Sequence, residues 1–159
     1  MIKKYIGMNN LKTIILLVLI LAVTAFIWGN SLATEAKSDE ISTGIMEIVK
    51  EIIDPQDKIE PELFNHILRK TAHFTEFFIL GILYMLMKKH IDKKVISSFI
   101  FFPLFSTLVT AVIDEYIQLF VDRGSAVKDV VLDFSGALTG ILLTIVILLV
   151  CKRLKRSIK

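Results

Sequence analysis

The stretch AVIDEYIQLFVDR, residues 111–123, places two adjacent carboxylates inside an apolar run. FIFFPLFSTLVTAVI leads up to Asp114 and Glu115, and YIQLFV follows them. A charged side chain at the middle of a membrane span costs about 2.5–3.5 kcal/mol on insertion scales, so it normally faces the interior of a helix bundle. The stretch therefore predicts a polar site within a membrane bundle, provided that the rest of the chain has the character of a membrane protein.

The composition has that character. The chain has 159 residues, of which 54% are hydrophobic, and its mean hydropathy is +0.66. The apolar residues come in four long blocks, 13–32, 71–87, 95–121 and 130–151, and a membrane-spanning helix needs about 20 such residues. The single cysteine, Cys151, excludes an internal disulfide and a multi-cysteine metal site. The blocks predict four spans.

The charges between the blocks predict their orientation. Three lysines precede the first block, and residues 31–70 hold nine acidic against five basic residues. Loop 88–94 carries four lysines and one aspartate, and five basic residues follow Cys151. Loop 122–129 has equal numbers of acidic and basic residues. Basic segments thus alternate with acidic or neutral ones, which by the positive-inside rule predicts that both termini are cytoplasmic.

The first block has an alternative interpretation as a cleavable signal peptide. Two lysines precede its apolar run, and Ser31, Leu32 and Ala33 follow it. The apolar run is long for a signal peptide, so we expect it to remain as the first span.

Residues 38–54 are predicted to form an amphipathic helix on the extracytoplasmic side. Isoleucines recur there at helical spacing with charged residues between them, Ser38 suits the N-cap, and Pro55 ends the pattern. The segment is too charged to span, so it is expected to lie on the membrane surface or over the mouth of the bundle. The chain is therefore predicted to be an all-α membrane protein, a four-transmembrane-helix bundle forming one domain over residues 1–159.

Three of the four spans carry ionisable or amide side chains at helical spacing. These are Lys70, His73 and Glu76 on the second span, Asp114, Glu115 and Gln118 on the third, and Asp129 and Asp133 on the fourth. Asp114 and Gln118 share a face, with Glu115 about 100° away, so Asp114 is the better candidate for the site, and Glu115 is expected to partner Arg123 or Lys70. The predicted topology places all these groups in the outer half of the bilayer.

Further features bear on how this site is built. Asn30 and Ser31, at the outer end of the first span, are placed to reach the polar cluster. Gly136 and Gly140 have the small-xxx-small spacing that allows close helix contact. Pro103 is a predicted kink in the third span.

These positions predict two kinds of role. The catalytic candidates are His73, Glu76, Asp114, Glu115 and Gln118. Asp114 or Glu115 would act as general base and His73 as its acid–base partner. The substrate-binding candidates are Lys70, Arg123, Asp129 and Asp133, with Lys70 and Arg123 holding an anionic group such as phosphate.

The same residues allow other interpretations. Arg123 could neutralise Asp129 or Asp133, and His73 could pair with Asp114, as structural ion pairs. Polar contacts between membrane helices contribute only about 0.6 kcal/mol each on average, little beside the insertion cost of the carboxylates. The histidine and carboxylates could also hold a divalent metal, but their spacing matches no specific ligand motif, so no metal ligand is predicted and the cofactor stays unknown.

Three segments together resemble the VanZ-like family. They are IWGNSLATEAKS (27–38), RKTAHFTEFFILG (69–81) and DEYIQLFVDRGSAVKDVVLDFSGALTG (114–140). The matching positions are Lys70, His73, Glu76, Asp114, Glu115, Gln118, Arg123, Asp129 and Gly136. Asp133 stands where many relatives carry asparagine or another polar residue. The resemblance implies a small polytopic protein of the bacterial cell membrane, and the family's namesake is associated with low-level resistance to the glycopeptide teicoplanin.

Two functions follow as hypotheses. The first is a membrane enzyme that acts on a lipid-linked cell-envelope substrate at the outer leaflet. The second is a non-catalytic binder of lipid or of a lipoglycopeptide antibiotic. A proton-coupled transporter is a weaker hypothesis, because the cytoplasmic halves of the spans offer no polar path. The expected partners are membrane lipids and a lipid-linked precursor or glycopeptide, not nucleic acid; the substrate and the oligomeric state stay open.

Overall fold

The computed structural model describes residues 2–33, 43–44, 49, 53, 59–121 and 124–158. Its long elements are four α-helices: α1 (Ile2–Ser31), α2 (Pro61–Asp92), α3 (Phe101–Gln118) and α4 (Val127–Ser157). Short 3-10 helices, Ser98–Ile100 and Leu119–Val121, extend α3 at its two ends. Every regular element within the described part is helical, which confirms the all-α prediction.

The boundaries of the helices follow from local chemistry. Pro61 occupies the first turn of α2, where its missing N–H costs nothing. The same helix ends at Lys93, whose left-handed backbone (φ 62°) lets its N–H donate to the Lys89 carbonyl at 3.0 Å. Pro103 also lies in a first turn, that of α3. A proline in a first turn removes no N–H that the helix needs, and the kink at Pro103 stays a prediction.

Three of the described helical segments are long and apolar enough to cross a membrane: Asn10–Ser31, Ser98–Val121 and Val127–Ser157. They correspond to the first, third and fourth predicted spans. The second, 71–87, lies in α2 and is not among them. The prediction of four apolar spans is thus confirmed for three. The helix α2 does not qualify because His73, Glu76 and flanking charges lie within or beside its apolar stretch.

This bundle buries charged and polar side chains beside its apolar core and exposes many large apolar side chains. Asp114, Asp133 and Thr107 are at most 1% exposed, whereas large apolar side chains such as Phe105 and Leu21 are more than half exposed. A water-soluble monomer rarely exposes so large an apolar surface. Charged side chains buried beneath an apolar exterior are the pattern of a helix bundle in lipid.

Contacts between the helices fix their relative directions. Trp28 and Ser31 of α1 reach Thr110 and Asp114 of α3, so α1 and α3 run the same way. Thr13, near the other end of α1, contacts His90, so α2 runs the opposite way. We call the end where α1 and α3 finish and α2 and α4 begin the site end, and the end that contains residues 88–97 the loop end.

The closest helix pair is α2 with α4, which run in parallel. A Cβ added at Gly136 would lie 3.1 Å from the carbonyl carbon of Phe74, and one at Gly140 would lie 3.1 Å from that of Phe78. The contact is equally close at Gly81 of α2, where an added Cβ would lie 2.9 Å from the Ala137 carbonyl carbon of α4. The predicted close contact at Gly136 and Gly140 is confirmed. Only the absence of side chains lets the two backbones approach this closely.

The predicted surface helix, 38–54, falls mostly outside the described residues. Of its residues the structure describes Thr43, Gly44, Val49 and Ile53, which have helical backbone conformation. The assignment of residues 1–159 to one domain stays a prediction.

Candidate functional site

Asp114 lies at the centre of the polar cluster at the site end. It is fully buried, and the Ser31 hydroxyl donates to its Oδ1 at 2.6 Å. The Gln118 amide, one turn later on α3, donates to its Oδ2 at 3.1 Å. The expectation that Ser31 reaches the cluster is confirmed, and so is the shared face of Asp114 and Gln118. Each carboxylate oxygen of Asp114 is therefore held by a donor, which fixes its orientation.

His73 stands between two carboxylates from different helices. Its Nδ1 is 3.8 Å from Oδ2 of Asp114 on α3 and 3.8 Å from Oδ1 of Asp133 on α4. Both carboxylates are buried, whereas the His73 side chain is 19% exposed. The two distances are too long for direct hydrogen bonds, which for nitrogen and oxygen fall near 2.9 Å. The predicted meeting of three spans at one depth thus occurs around this imidazole.

Glu115 accepts hydrogen bonds from two groups that were not predicted as its partners. The Gln118 amide donates to its Oε1 at 3.1 Å, and the backbone N–H of Ala126, the N-cap of α4, donates to its Oε2 at 3.0 Å. The expected Lys70 is instead paired elsewhere, and Arg123 lies outside the described residues. Glu115 thereby ties the end of α3 to the start of α4, which the sequence could not indicate because the acceptor binds a backbone group.

Lys70 forms an ion pair with Asp129 across α2 and α4. Both residues were predicted to bind substrate, and the structure brings them together. Asp133 lies one turn beyond Asp129 and is 1% exposed. Among the described residues, no hydrogen-bond donor reaches its Oδ2.

Glu76 belongs to the polar cluster but lies outside the cavity described next. Its Oε1 accepts a hydrogen bond from the Asn30 amide of α1 at 3.2 Å, and its Oε2 is buried without a hydrogen-bond partner in the described part of the chain. The expectation that Asn30 reaches the polar cluster is therefore confirmed. His73 and Glu115 line that cavity, whereas Glu76 does not.

A cavity of about 350 Å³ opens at the site end, beside His73. Its walls come from α2, α3, α4 and the connection between α3 and α4. The lining residues are His66, Arg69, Lys70, His73, Glu115, Gln118, Gly124, Ser125, Ala126, Lys128, Asp129, Leu132 and Asp133. Asp114 lies behind His73 and does not line it. Of the two adjacent carboxylates, Glu115 lines the cavity and Asp114 does not. That Asp114 is the better candidate for the site stays a prediction.

Comparison with known proteins agrees with this architecture. The VanZ/LLP1 family model matches residues 13–149, which include α2 and α3, most of α1 and α4, and the whole site. The chain belongs to the VanZ/LLP1 family. A search of the curated proteins and a search of the solved structures each found no match.

Sequence reasoning missed part of the site of this VanZ/LLP1 protein. His66, Arg69 and Lys128 line the cavity but were not among the predicted site residues. His66 and Arg69 do share the helical face of His73, at spacings of seven and four residues. That spacing was the available signal for them. Lys128 sits in the first turn of α4 with no periodic pattern to mark it.

The arrangement supports two kinds of chemistry in a member of this family. The mouth of the cavity carries basic side chains from α2 and α4, which suit an anionic group. The inner wall carries an accessible imidazole backed by two buried carboxylates, which suits proton transfer. Basic groups and acid–base groups thus face one small space.

Proposed function

We propose that α2 is a fourth span and that the site end faces outward, with both termini in the cytoplasm of a bacterial cell. The backbone contact of Gly136 and Gly140 with α2 supports this arrangement, because it requires residues 74–82 to share the depth of the apolar part of α4. The positive-inside rule supports the orientation, since the basic segments 88–94 and 152–159 then lie on one side.

Thiol labelling tests this topology. Cys151 is exposed near the end of α4 and serves as the cytoplasmic control. In a Cys151→Ser background, we expect Gly124→Cys to react with a membrane-impermeant maleimide in intact cells. The native Cys151 should react only after the cells are permeabilised. The reverse pattern would contradict the orientation.

We further propose that the protein is a membrane enzyme acting on the phosphate-bearing headgroup of a lipid-linked envelope substrate. One observation carries the proposal: a single cavity combines the basic side chains of His66, Arg69, Lys70 and Lys128 with the imidazole of His73. The basic groups hold the phosphate, and the site end gives the headgroup access from the outer leaflet.

His73 is the proton-transfer group in this proposal. It is partly exposed to the cavity, whereas Asp114 and Asp133 behind it are buried. In the simplest reaction, hydrolysis, water attacks phosphorus while His73 accepts a proton from the water, and the bond to the lipid oxygen breaks. The leaving oxygen then takes up the proton. Glu115, at the same wall, orients the attacking water.

The size of the cavity bears on the alternative, a non-catalytic binder. Small-molecule sites measure about 300–1,000 Å³, and this one, at about 350 Å³, is near the lower limit. It fits a lipid headgroup better than a glycopeptide antibiotic. A contribution to teicoplanin resistance, which the family resemblance suggests, would then arise from a changed envelope lipid rather than from capture of the drug.

Phosphate release distinguishes these functions. Purified protein in phosphatidylcholine vesicles is given phosphatidic acid or a polyprenyl diphosphate as probe. We expect turnover, a loss of at least about 100-fold for His73→Ala, and a raised KM with little change in kcat for Lys70→Met. Lys152→Met, exposed on the tail beyond the loop end, is the control. Saturable binding of a probe without product would favour the binder, and neither binding nor turnover would contradict both.

A further inference from the structure

We infer that His73, Asp114 and Asp133 form a binding site for one divalent transition-metal ion, with zinc or manganese as the fitting ions. Each residue offers one ligand atom, and these atoms all lie within 4.8 Å of one another. They come from α2, α3 and α4, so no sequence motif reveals them. The chemical use of such an ion rests on the proposed function, whereas its binding rests on this geometry. With Nδ1 on the ion, His73 would no longer accept the proton, and water bound to the ion would lose it instead.

The distances fit coordination better than hydrogen bonding. At 3.8 Å, Nδ1 of His73 is too far from either carboxylate for a hydrogen bond. Ligands at about 2.1 Å from a tetrahedral ion lie about 3.4 Å from one another. The two 3.8 Å distances would have to shorten by about 0.4 Å, and the separation of up to 4.8 Å within the set by up to about 1.4 Å, to reach ligand positions.

The unsatisfied oxygen of Asp133 is an independent observation that points to a ligand. The residue is 1% exposed. Its Oδ1 lies 3.8 Å from His73, and its other oxygen, Oδ2, has no hydrogen-bond partner among the residues that the structure describes. A buried carboxylate normally has its charge paired or coordinated to a metal. A cation bound between His73, Asp114 and Asp133 supplies what this carboxylate lacks.

The surroundings of Asp114 are those of a metal ligand. Ser31 donates to one of its oxygens and Gln118 to the other. Carboxylate ligands are typically held in this way by groups that do not themselves touch the ion. Each carboxylate oxygen has two lone pairs, so Oδ2 can accept from Gln118 and also bind the ion.

The ligand set selects the class of ion. One imidazole and two carboxylates provide mixed nitrogen and oxygen donors, which suit zinc and manganese better than magnesium or calcium. Three protein ligands leave a coordination position open. Because His73 lines the cavity, that position would be within reach of a bound phosphate oxygen or water.

Metal binding is tested without any substrate. Purified protein is stripped with a chelator and dialysed against Zn²⁺ or Mn²⁺, and the bound metal is measured by mass spectrometry. We expect one ion per chain, and a loss of affinity of at least about 100-fold for His73→Ala, Asp114→Asn and Asp133→Asn. Asp129→Asn is the matched control, because Asp129 is one turn from Asp133 on α4 but pairs with Lys70. It should retain the ion.

Co²⁺ provides a second measurement that does not depend on comparing variants. Its visible absorption in the stripped wild-type protein should show the intense bands of a low-coordinate site with nitrogen and oxygen ligands. The absence of stoichiometric binding by the wild type would overturn the inference, as would an equal loss in Asp129→Asn. Metal binding without turnover would contradict the proposed function but not the metal site. Turnover that is undiminished in the presence of chelator would refute a catalytic role for the ion.

Discussion

Lys88 at the loop end and Asp133 at the site end are both buried charged side chains, yet their surroundings differ. Lys88 is fully buried, and its ammonium donates to the Lys94 carbonyl at 2.9 Å and the Val95 carbonyl at 3.0 Å. It also pairs with Asp92 at 3.1 Å. All three of its N–H donors thus have an acceptor. Asp133 keeps one oxygen without a hydrogen-bond partner in the described part of the chain.

The difference distinguishes a structural charge, Lys88, from a residue for which we propose a function, Asp133. A buried charge with complete hydrogen bonding holds its surroundings in place, here the turn after α2. A buried charge with incomplete hydrogen bonding lowers stability, and such groups persist where a ligand completes them. The two ends of the bundle therefore respond differently to removal of charge.

The largest expected effect is at the loop end. Lys88→Met leaves two carbonyls and Asp92 without their donor, so we expect the free energy of unfolding to fall by about 3 kcal/mol. Denaturant titration of the purified protein measures this change. Lys152→Met, which removes an exposed lysine, should alter stability by less than about 0.5 kcal/mol. If the two variants were equally stable, Lys88 would not have the structural role assigned here.

A smaller effect of opposite sign is expected at the site end. Asp133→Asn preserves the shape of the side chain but removes a buried charge close to Asp114. With chelator present, we expect the free energy of unfolding to stay the same or rise by about 1 kcal/mol. Asp129→Asn, which breaks the ion pair with Lys70, should instead lower it by at most about 1 kcal/mol. A clear loss of stability in Asp133→Asn would make Asp133 a structural residue like Lys88.

The smallest effect concerns the pH dependence of the loop end. The hydroxyl of Ser97, and after it the ammonium of Lys88, hold the pKa of Asp92 below its ordinary value of 3.8. Because the folded-state pKa is lowered, this stabilisation is present above pH 3.8 and is lost as the pH falls through the lowered pKa.

Ser97→Ala removes the main cause of that shift. We expect a Tm slightly below that of the wild type at pH 7, with the difference shrinking below pH 3.8. Thr139→Ala is the matched control, since its hydroxyl donates to the Ser135 carbonyl and no titrating group is involved. Its Tm difference should not change with pH. A Ser97→Ala difference that stayed constant down to acid pH would contradict the assigned role of Asp92.

Much of the site could be predicted because helical spacing is a local property. The apolar blocks located the helices, and the charges along them placed Lys70, His73 and Asp114 at one depth. The small residues at 136 and 140 marked the close contact with α2. Lys88 illustrates the limit. It was interpreted as one of four lysines in a cytoplasmic loop, and its burial depends on how that loop folds back over it.

The sequence by itself determined the all-helical membrane character, the family and the convergence of charged residues from three segments. These follow from hydropathy, charge and spacing along single helices. Only the tertiary structure decided that Glu115 and not Asp114 lines the cavity, that His66 and Arg69 contribute to its wall, and that His73 meets two carboxylates. The physical reason is that the rotation of each helix against its neighbours is set by packing, chiefly at Gly81, Gly136 and Gly140, and spacing within one helix carries no information about it.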